Sequence, residues 1–510
     1  MVHLARKVLK NSIYNSSSVF ISKFGGLIFT IILARLLLPE LFGVYHLALA
    51  VGLMLLTFTD LGINGTLIRY VSHAVGKNDE DLASSYFRYL FKLKFILVFL
   101  SSLSLILLAN PLALHLFHKP DLSLPLQIVG IFLFFQSFLD FVEAGFISMQ
   151  RFAYSTIRHI VYEGLRLILV PALILLGFSV FGALAGLSIS TAATLLVLTY
   201  FLLKNYPFLL KGKTVKIERR RILKFLSYMT IGSISGVFFA YVDSIMLGIF
   251  MPVEYVGFYR AGYNIVFAFA GLVSIAGVLF PVFTQLEGDE LENAFKKVFK
   301  YSSILSFPSA FGLLFIAEPV IRVVYGIDYL PAVLPTYILS LLIIIAPLDF
   351  FGTLFNAKEK PEYPAKLIII SSTLNTILNY FLILQFGMAG AAVATVISRY
   401  FNITSLGFLS RKVLNVFPSL DTIYKPLFSS SVMVLFFYLV PRPNTILIGL
   451  GEILMATIIY ISVMFSMRGI EKEDIKYLGV IVGQEERLIK AYNFAKSELG
   501  RGNKRNKEKK

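Results

Sequence analysis

The 510-residue chain contains no cysteine and no tryptophan. The first absence removes disulfides, thiolate metal sites and cysteine nucleophiles from consideration. Charged residues are scarce, at 15%, while hydrophobic residues reach 57%, a balance that a water-soluble core of this size does not require. No Gly-x-x-x-x-Gly-Lys-Ser/Thr phosphate loop is present, which argues against direct drive by ATP. The six histidines, His3, His46, His73, His115, His118 and His159, form no His-Glu-x-x-His cluster, and His115 with His118 reads as a loop pair rather than a metal site. No enzyme and no resident cofactor is expected.

What the chain does have is a succession of apolar runs, each near the roughly 20 residues needed to cross a bilayer. They fall at 17–38, 41–63, 84–109, 122–146, 157–178, 181–204, 225–250, 255–283, 299–318, 332–356, 363–384, 387–410, 426–441 and 446–467. The expected fold class is therefore an all-α integral membrane protein with about fourteen transmembrane helices. The net charge of +17 sits mostly in loops and tails, where it signals topology rather than a nucleic-acid partner. With the N-terminus in the cytoplasm, nearly all loop Lys and Arg fall inside and only Lys119, Arg322 and Arg442 fall outside. That asymmetry places both termini inside, in the cytoplasmic membrane. The first sixteen residues, with Arg6, Lys7 and Lys10, lack a cleavage pattern and are expected to form a short interfacial helix of the mature chain.

Two echoes divide the chain. Leu38-Pro39-Glu40-Leu41-Phe42-Gly43-Val44-Tyr45 returns as Met251-Pro252-Val253-Glu254-Tyr255-Val256-Gly257-Phe258-Tyr259, and Val180-Phe181-Gly182-Ala183-Leu184-Ala185 returns as Met388-Ala389-Gly390-Ala391-Ala392-Val393. Echoes in register imply duplication of a six-span unit, and an even number of spans makes the copies parallel repeats. The expected organisation is a six-helix lobe at 1–204, a basic cytoplasmic linker at 205–224, a second six-helix lobe at 225–410, two further helices at 411–467 and a basic tail at 468–510.

Ionisable side chains at membrane depth cost at least ~2.5–3.5 kcal/mol on insertion scales, so they normally face a cavity or a partner. The cationic set is Lys23, Arg35, Arg88, Lys92, Lys94, Arg166, Arg260 and Arg399; the anionic set is Asp140, Glu143, Glu163, Asp243 and Asp349. Arg88 and Lys92 stand near the inner end of span 3, where snorkelling to headgroups accounts for them. Glu163 and Arg166 share a helix face and are expected to pair with each other, or with Asp140 and Glu143. Lys23, Arg35, Arg260 and Arg399 are the candidate substrate-binding residues. Interfacial snorkelling competes with that role for Arg35 and Arg260, which lie close to the outer boundary, and Arg399 is mid-span.

The stretches Leu33-Ala34-Arg35-Leu36-Leu37-Leu38-Pro39-Glu40-Leu41-Phe42-Gly43-Val44-Tyr45, Asp60-Leu61-Gly62-Ile63 with Arg69-Tyr70, Asp243-Ser244-Ile245-Met246-Leu247-Gly248 and Val256-Gly257-Phe258-Tyr259-Arg260-Ala261 resemble the polysaccharide transporter branch of the multidrug/oligosaccharidyl-lipid/polysaccharide exporter superfamily, related to the lipid II flippases. The resemblance covers almost the whole chain to about residue 467. It implies two lobes forming a V around a central cavity, and a flippase that moves polyprenyl-diphosphate-linked oligosaccharides by alternating access. A cavity with excess positive charge suits a diphosphate, which Arg holds by bidentate hydrogen bonds and Lys as a point charge. Membrane lipids are the other expected partners, and a monomer is expected.

The same resemblance implies a sodium site. Lipid II flippases associate one with an acidic residue on helix 7, a polar pair four apart on helix 11 and a Thr on helix 12, and Asp243, Asn375, Asn379 and Thr395 match that arrangement. Ordinary interhelical hydrogen bonding explains the same residues without an ion, at ~0.6 kcal/mol per contact. Coupling to sodium or to protons is the expectation, with no bound cofactor. Two functions compete with the flippase. An ion-coupled drug exporter of the same superfamily would use an acid in the N-terminal lobe, where span 1 has only basic charges. A membrane-embedded glycosyltransferase or polymerase would need a sizeable external loop, and the predicted ones are short.

Overall fold

A computed structural model describes residues 2–273, 283, 286–440 and 446–475 of the chain. The regular elements among them are all helical. In chain order the main helices are α1 (Val2–Asp60), α2 (Ile63–Gly76), α3 (Glu80–Pro111), α4 (Ser123–Ser148), α5 (Ala153–Leu173), α6 (Ser179–Asn205) and α7 (Arg219–Phe250), followed by α8 (Val253–Val273), α9 (Gly288–Val324), α10 (Val333–Ile345), α11 (Phe350–Ala357), α12 (Glu362–Leu414), α13 (Asp421–Leu439) and α14 (Ile446–Ser466). Nine helical stretches among the described residues are long and apolar enough to cross a membrane, so the chain is a multi-pass α-helical membrane protein.

Three of those stretches, Phe20–Gly76, Ala153–Asn205 and Glu362–Leu414, run 57, 53 and 53 residues. At about 1.5 Å per residue each exceeds twice the ~30 Å hydrocarbon layer. The first is broken about a third of the way along and the other two near the middle. Leu38 leaves helical geometry at φ 59°, ψ 171°, next to Pro39, whose ring excludes the α region from the residue before it. Gly177 breaks the second at φ 94°, and Gly387 the third at φ 57°, ψ −133°, backbone conformations that glycine adopts without steric cost. The N-terminal residues expected as a separate interfacial helix instead form the first turns of α1. No glycine or proline occurs before Gly25 to interrupt them. The basic tail beyond Ile475 and the outer-loop Arg442 lie outside the described residues.

Composition runs inside out relative to a soluble protein. Leu175, Leu176, Leu196 and Leu439 are exposed, while Ser188, Ser190, Thr191 and Thr194 on α6 are buried. Those four hydroxyls donate to the carbonyls of Leu184, Gly186, Leu187 and Ser190, one turn back, which satisfies them without a partner helix. Small residues let the backbones approach, as at Gly186, where a Cβ would sit 3.0 Å from Val170 Cγ2. The described helices group into two compact units, one within Met1–Ala268, Glu318–Leu339 and Glu362–Asn402, the other within Phe269–Ala317, Ser340–Pro361 and Ile403–Lys510.

Inside the first unit the Pro39–Gly43 and Pro252–Gly257 copies of the echo meet. A Cβ on Gly43 would lie 3.2 Å from Gly257 N, and one on Gly257 would lie 3.2 Å from Gly43 N. Equivalent glycines of the duplicated motif thus touch backbone to backbone, and any side chain there would push α1 and α8 apart.

Candidate functional site

Asp243 lies on α7, which enters the membrane after the basic run Arg219-Arg220-Arg221. Its carboxylate is buried and accepts three hydrogen bonds: from Asn379 Nδ2 at 2.6 Å on Oδ1, and from Thr395 Oγ1 at 2.6 Å and Tyr259 Oη at 2.7 Å on Oδ2. Asn379 Nδ2 also donates to Asn375 Oδ1 at 3.1 Å, one turn away on the same leg of α12. The break at Gly387 folds the second leg of α12 back, which brings Thr395 to the carboxylate. The structure therefore gathers Asp243, Asn375, Asn379 and Thr395 into one cluster and adds Tyr259, which the sequence reading missed. The signal for it was available, because Tyr259 closes the second copy of the echo.

The cluster offers oxygens of the type a hard cation takes, with one carboxylate against one monovalent charge. Asn379 Oδ1 is buried with no hydrogen-bond partner among the described residues. Turning that amide would aim Oδ1 at the carboxylate, a contact that an intervening cation, or a proton on the carboxyl, makes favourable. The donor set fits sodium. Groups of three or more His, Cys, Asp or Glu able to hold a metal are absent among the described residues, which leaves a divalent ion too few charges here.

Arg260 follows Tyr259 on α8 and is 7% exposed. Its guanidinium donates from Nε to Ser244 Oγ at 2.6 Å and from Nη2 to the Ala240 carbonyl at 3.2 Å, and it stacks over the rings of Tyr241 and Tyr263, each at 5.2 Å. No carboxylate pairs with it among the described residues. Arg399, one turn beyond Thr395, lies over the Phe239 ring at 4.3 Å and likewise has no acidic partner among the described residues. Lys23 is exposed on the first leg of α1, without a partner among the described residues.

Arg35 is engaged elsewhere. Its Nε donates to the Val324 carbonyl at 2.9 Å, and Nη2 donates to the carbonyl of Val323. These carbonyls end α9, where a helix has orphan acceptors and negative dipole charge, so the guanidinium caps the helix. Near it, Tyr329 Oη donates to the Ala34 carbonyl at 2.9 Å. Lys119, in the turn after α3, donates to the Gly248 carbonyl of α7 at 2.6 Å. Burial pushes that amine's pKa down while Glu254 pulls it back up.

Several other charges at membrane depth pair with one another. Glu163 and Arg166 pair with each other, Nη2 to Oε2 at 2.6 Å. Arg158 takes both Asp140, at 2.6 Å, and Glu143. The buried Lys94 reaches Asp60 at 3.0 Å, and Arg88 bonds the linker's Thr214 at 3.1 Å. In the second unit a cavity of about 750 Å³ opens among α9, α13 and α14, lined by Leu305, Gly312, Met433, Phe437 and Ile461 with Tyr460 at its wall.

Comparison with known proteins gives two family matches. Residues 8–287 match the family described as polysaccharide biosynthesis protein, and residues 269–465 match the family described as lipid II flippase MurJ. The chain is 31% identical over 189 residues to the probable low-salt glycan biosynthesis flippase Agl15 of Haloferax volcanii, covering 35% of this chain and 39% of the relative. It is 26% identical over 304 residues to the succinoglycan biosynthesis transport protein ExoT of Rhizobium meliloti, covering 58% of each. The chain thus spans about two to three fifths of the length of these curated relatives. Its fold is similar to that of the lipid II flippase MurJ in an inward closed conformation, with a TM-score of 0.73 at 17% identity over 89% of this chain and 98% of the other.

Proposed function

Since the chain belongs to the polysaccharide biosynthesis protein family, whose match takes in more than half of it, we propose that it is a flippase moving polyprenyl-diphosphate-linked oligosaccharides across the cytoplasmic membrane by alternating access, for assembly of surface polysaccharide or glycoconjugate. The observation that carries this reading is Arg260. A guanidinium at 7% exposure with only neutral partners is a costly object in a membrane protein unless an anion visits it. Arg399 and Lys23 add positive charge without acidic partners, and Arg35 joins them after exchanging the Val323 and Val324 carbonyls for phosphate oxygens. The apolar cavity on α9, α13 and α14 suits a prenyl chain.

In this reading the three long helices, divided at Leu38, Gly177 and Gly387, each supply two spans. Fourteen spans result, arranged as lobes at 1–204 and 225–410 around a central cavity, with the linker at 205–224, two further helices at 411–467 and the tail at 468–510. Both termini face the cytoplasm, and the chain works as a monomer. Sodium at Asp243, Asn375, Asn379 and Thr395 would neutralise the carboxylate, and it couples to lobe movement only to the extent that the site prefers one conformation. Tyr259 and Arg260 are neighbours on α8, so any movement of that helix reaches both the carboxylate and the guanidinium. The drug-exporter alternative needs a free acid in the N-terminal half, where Asp60 is held by Lys94 and Glu163 by Arg166.

The test is reconstitution into liposomes with a polyprenyl-diphosphate oligosaccharide and measurement of its exposure on the far leaflet. Charge-assisted bonds are worth about 1.5–3 kcal/mol, so Arg260→Ala is expected to slow exposure roughly 10- to 100-fold, and Arg260→Lys to restore part of the rate. Wild-type exposure by Arg260→Ala would sink the reading of this residue, and no exposure by the wild type would sink the function.

A further inference from the structure

Three rungs of polar residues join the two legs of α12. On the first leg Ser371, Asn375 and Asn379 recur every four residues, and on the second Thr395, Ser398 and Asn402 follow at three and four. Each set therefore shares one helix face. None of the six is more than 7% exposed. The upper rung is closed by Asp243, which bonds Asn379 and Thr395. The lower rung is closed by Asn402 Nδ2 donating to Ser371 Oγ at 3.1 Å. Antiparallel legs bonded above and below bring Asn375 and Ser398 to the same level between those closures.

The middle rung behaves differently. Asn375 Nδ2 and Ser398 Oγ are buried with no hydrogen-bond partner among the described residues, as is Asn379 Oδ1 just above them. Hydroxyls on the first leg take the cheap solution of bonding their own helix: Ser372 and Thr373 donate to the Ile369 carbonyl and Thr376 to that of Ser372. Ser398 forgoes it. Each buried unpaired polar atom costs about 1–3 kcal/mol, and two at one level between two packed legs, with a third one turn above, call for an occupant able both to donate and to accept.

We propose that the Asn375–Ser398 rung is a hydrated station on a polar track along the α12 seam, and that a monovalent cation crosses it between Asp243 and the end of the helix pair that carries Glu362 and Leu414. The charge asymmetry of the loops assigns that end to the cytoplasm. The cation's part rests on the sodium reading above; the hydration does not. Asn375 serves both the Asp243 cluster, through Oδ1, and the track, through Nδ2. Asn402 and Ser371 then form the mouth of the track, closed by a single neutral bond that costs little to open.

The absence of native cysteine makes the test direct. Ser398→Cys, Asn402→Cys and, as a control, Ala394→Cys on the same leg and fully buried, are prepared in the full chain in nanodiscs and labelled with a methanethiosulfonate ethylammonium reagent. Thiolate is the reacting form, so labelling reports water at the sulfur. Cys at 402 and 398 is expected to label at least tenfold faster than at 394, and sodium, compared with choline, is expected to slow labelling at 398. Rates at 398 equal to those at 394 overturn the station. Fast labelling that sodium leaves unchanged, in a protein whose melting temperature sodium raises, overturns its place on the ion's route. Fast labelling in a protein that sodium does not stabilise upholds the station and removes the sodium reading instead. The near-isosteric Ser398→Cys is checked against Ser398→Ala for native melting.

Discussion

In the N-terminal half, Glu163 accepts from Arg166 Nε at 2.8 Å and Nη2 at 2.6 Å, both partners on one helix face three residues apart. In the C-terminal half, Asp243 accepts only from an amide and two hydroxyls, drawn from α8 and both legs of α12. Both carboxylates are buried. The first carries its counter-ion in its own sequence. Arg166 is further held over the Phe29 ring at 4.4 Å and the Tyr162 ring at 5.0 Å, and Glu163 lies against Gly25, where a Cβ would be 2.7 Å from Oε2. That site is charge-balanced and closely packed. The second has its hydrogen bonds but not its charge balance, and a site short of one positive charge responds to whatever cation or proton the two sides of a membrane supply.

Breaking the N-terminal pair gives the largest expected effect. Arg166→Ala strands a carboxylate in a site built for two charges, so it should lose about 3–5 kcal/mol in reversible unfolding in mixed micelles. The double variant Glu163→Gln with Arg166→Met should regain most of that. Asp243→Asn removes a charge that has no ionic partner among the described residues, and in sodium-free buffer it should be at least as stable as the wild type. Arg166→Ala within about 1 kcal/mol of wild type would mean that the two halves do not differ in the way described.

The second test sharpens the contrast by adding the missing charge. With sodium at a hundred times its dissociation constant, a site present only in the folded protein gains about 2.7 kcal/mol. Melting measured in sodium against choline chloride should therefore rise for the wild type and for Glu163→Gln with Arg166→Met, and stay level for Asp243→Asn. A rise that persists in Asp243→Asn moves the ion elsewhere.

How much of this was legible in the sequence depends on the range of each contact. The apolar runs announced a multi-pass helical membrane protein, and the breaks at Leu38, Gly177 and Gly387 fall where proline or glycine stands between two runs. Asn375 and Asn379 could be read as one face from their spacing alone, and so could Glu163 with Arg166. Contacts between distant segments were out of reach of spacing, and the grouping of Asp243 with Asn379 and Thr395 came from the resemblance alone. Lys94 and Asp60 are 34 residues apart on different helices, so no periodicity joins them. Arg158, which holds both Asp140 and Glu143, sits in the first turn of the 157–178 run, where nothing in the spacing ties it to the preceding helix. Arg35 bonds backbone carbonyls 288 and 289 residues away, and a carbonyl at a helix end has no side-chain identity to announce it. The unpaired atoms of Asn375, Asn379 and Ser398 are a property of packing, which composition does not carry.

The smallest effect separates the paired tyrosines of the echo. Tyr259 donates to Asp243 Oδ2 at 2.7 Å and lies 3.2 Å from Thr395 Oγ1. Its counterpart Tyr45 is equally buried but makes no hydrogen bond among the described residues, its ring meeting His46 edge-on at 5.3 Å. Interhelical hydrogen bonds in membrane proteins average about 0.6 kcal/mol and reach about 1.7, and a carboxylate acceptor favours the upper part of that range. Tyr259→Phe should therefore cost about 1–1.7 kcal/mol in unfolding, whereas Tyr45→Phe should stay within about 0.5 kcal/mol of wild type. Removing the Tyr259 hydroxyl also takes one competing donor from Oδ2, so if the carboxylate is a cation ligand, half-maximal sodium stabilisation should shift in Tyr259→Phe and not in Tyr45→Phe. Equal responses of the two variants, in stability and in sodium dependence, would leave the duplicated tyrosines as packing alone and confine the asymmetry of the halves to Glu163–Arg166 against Asp243.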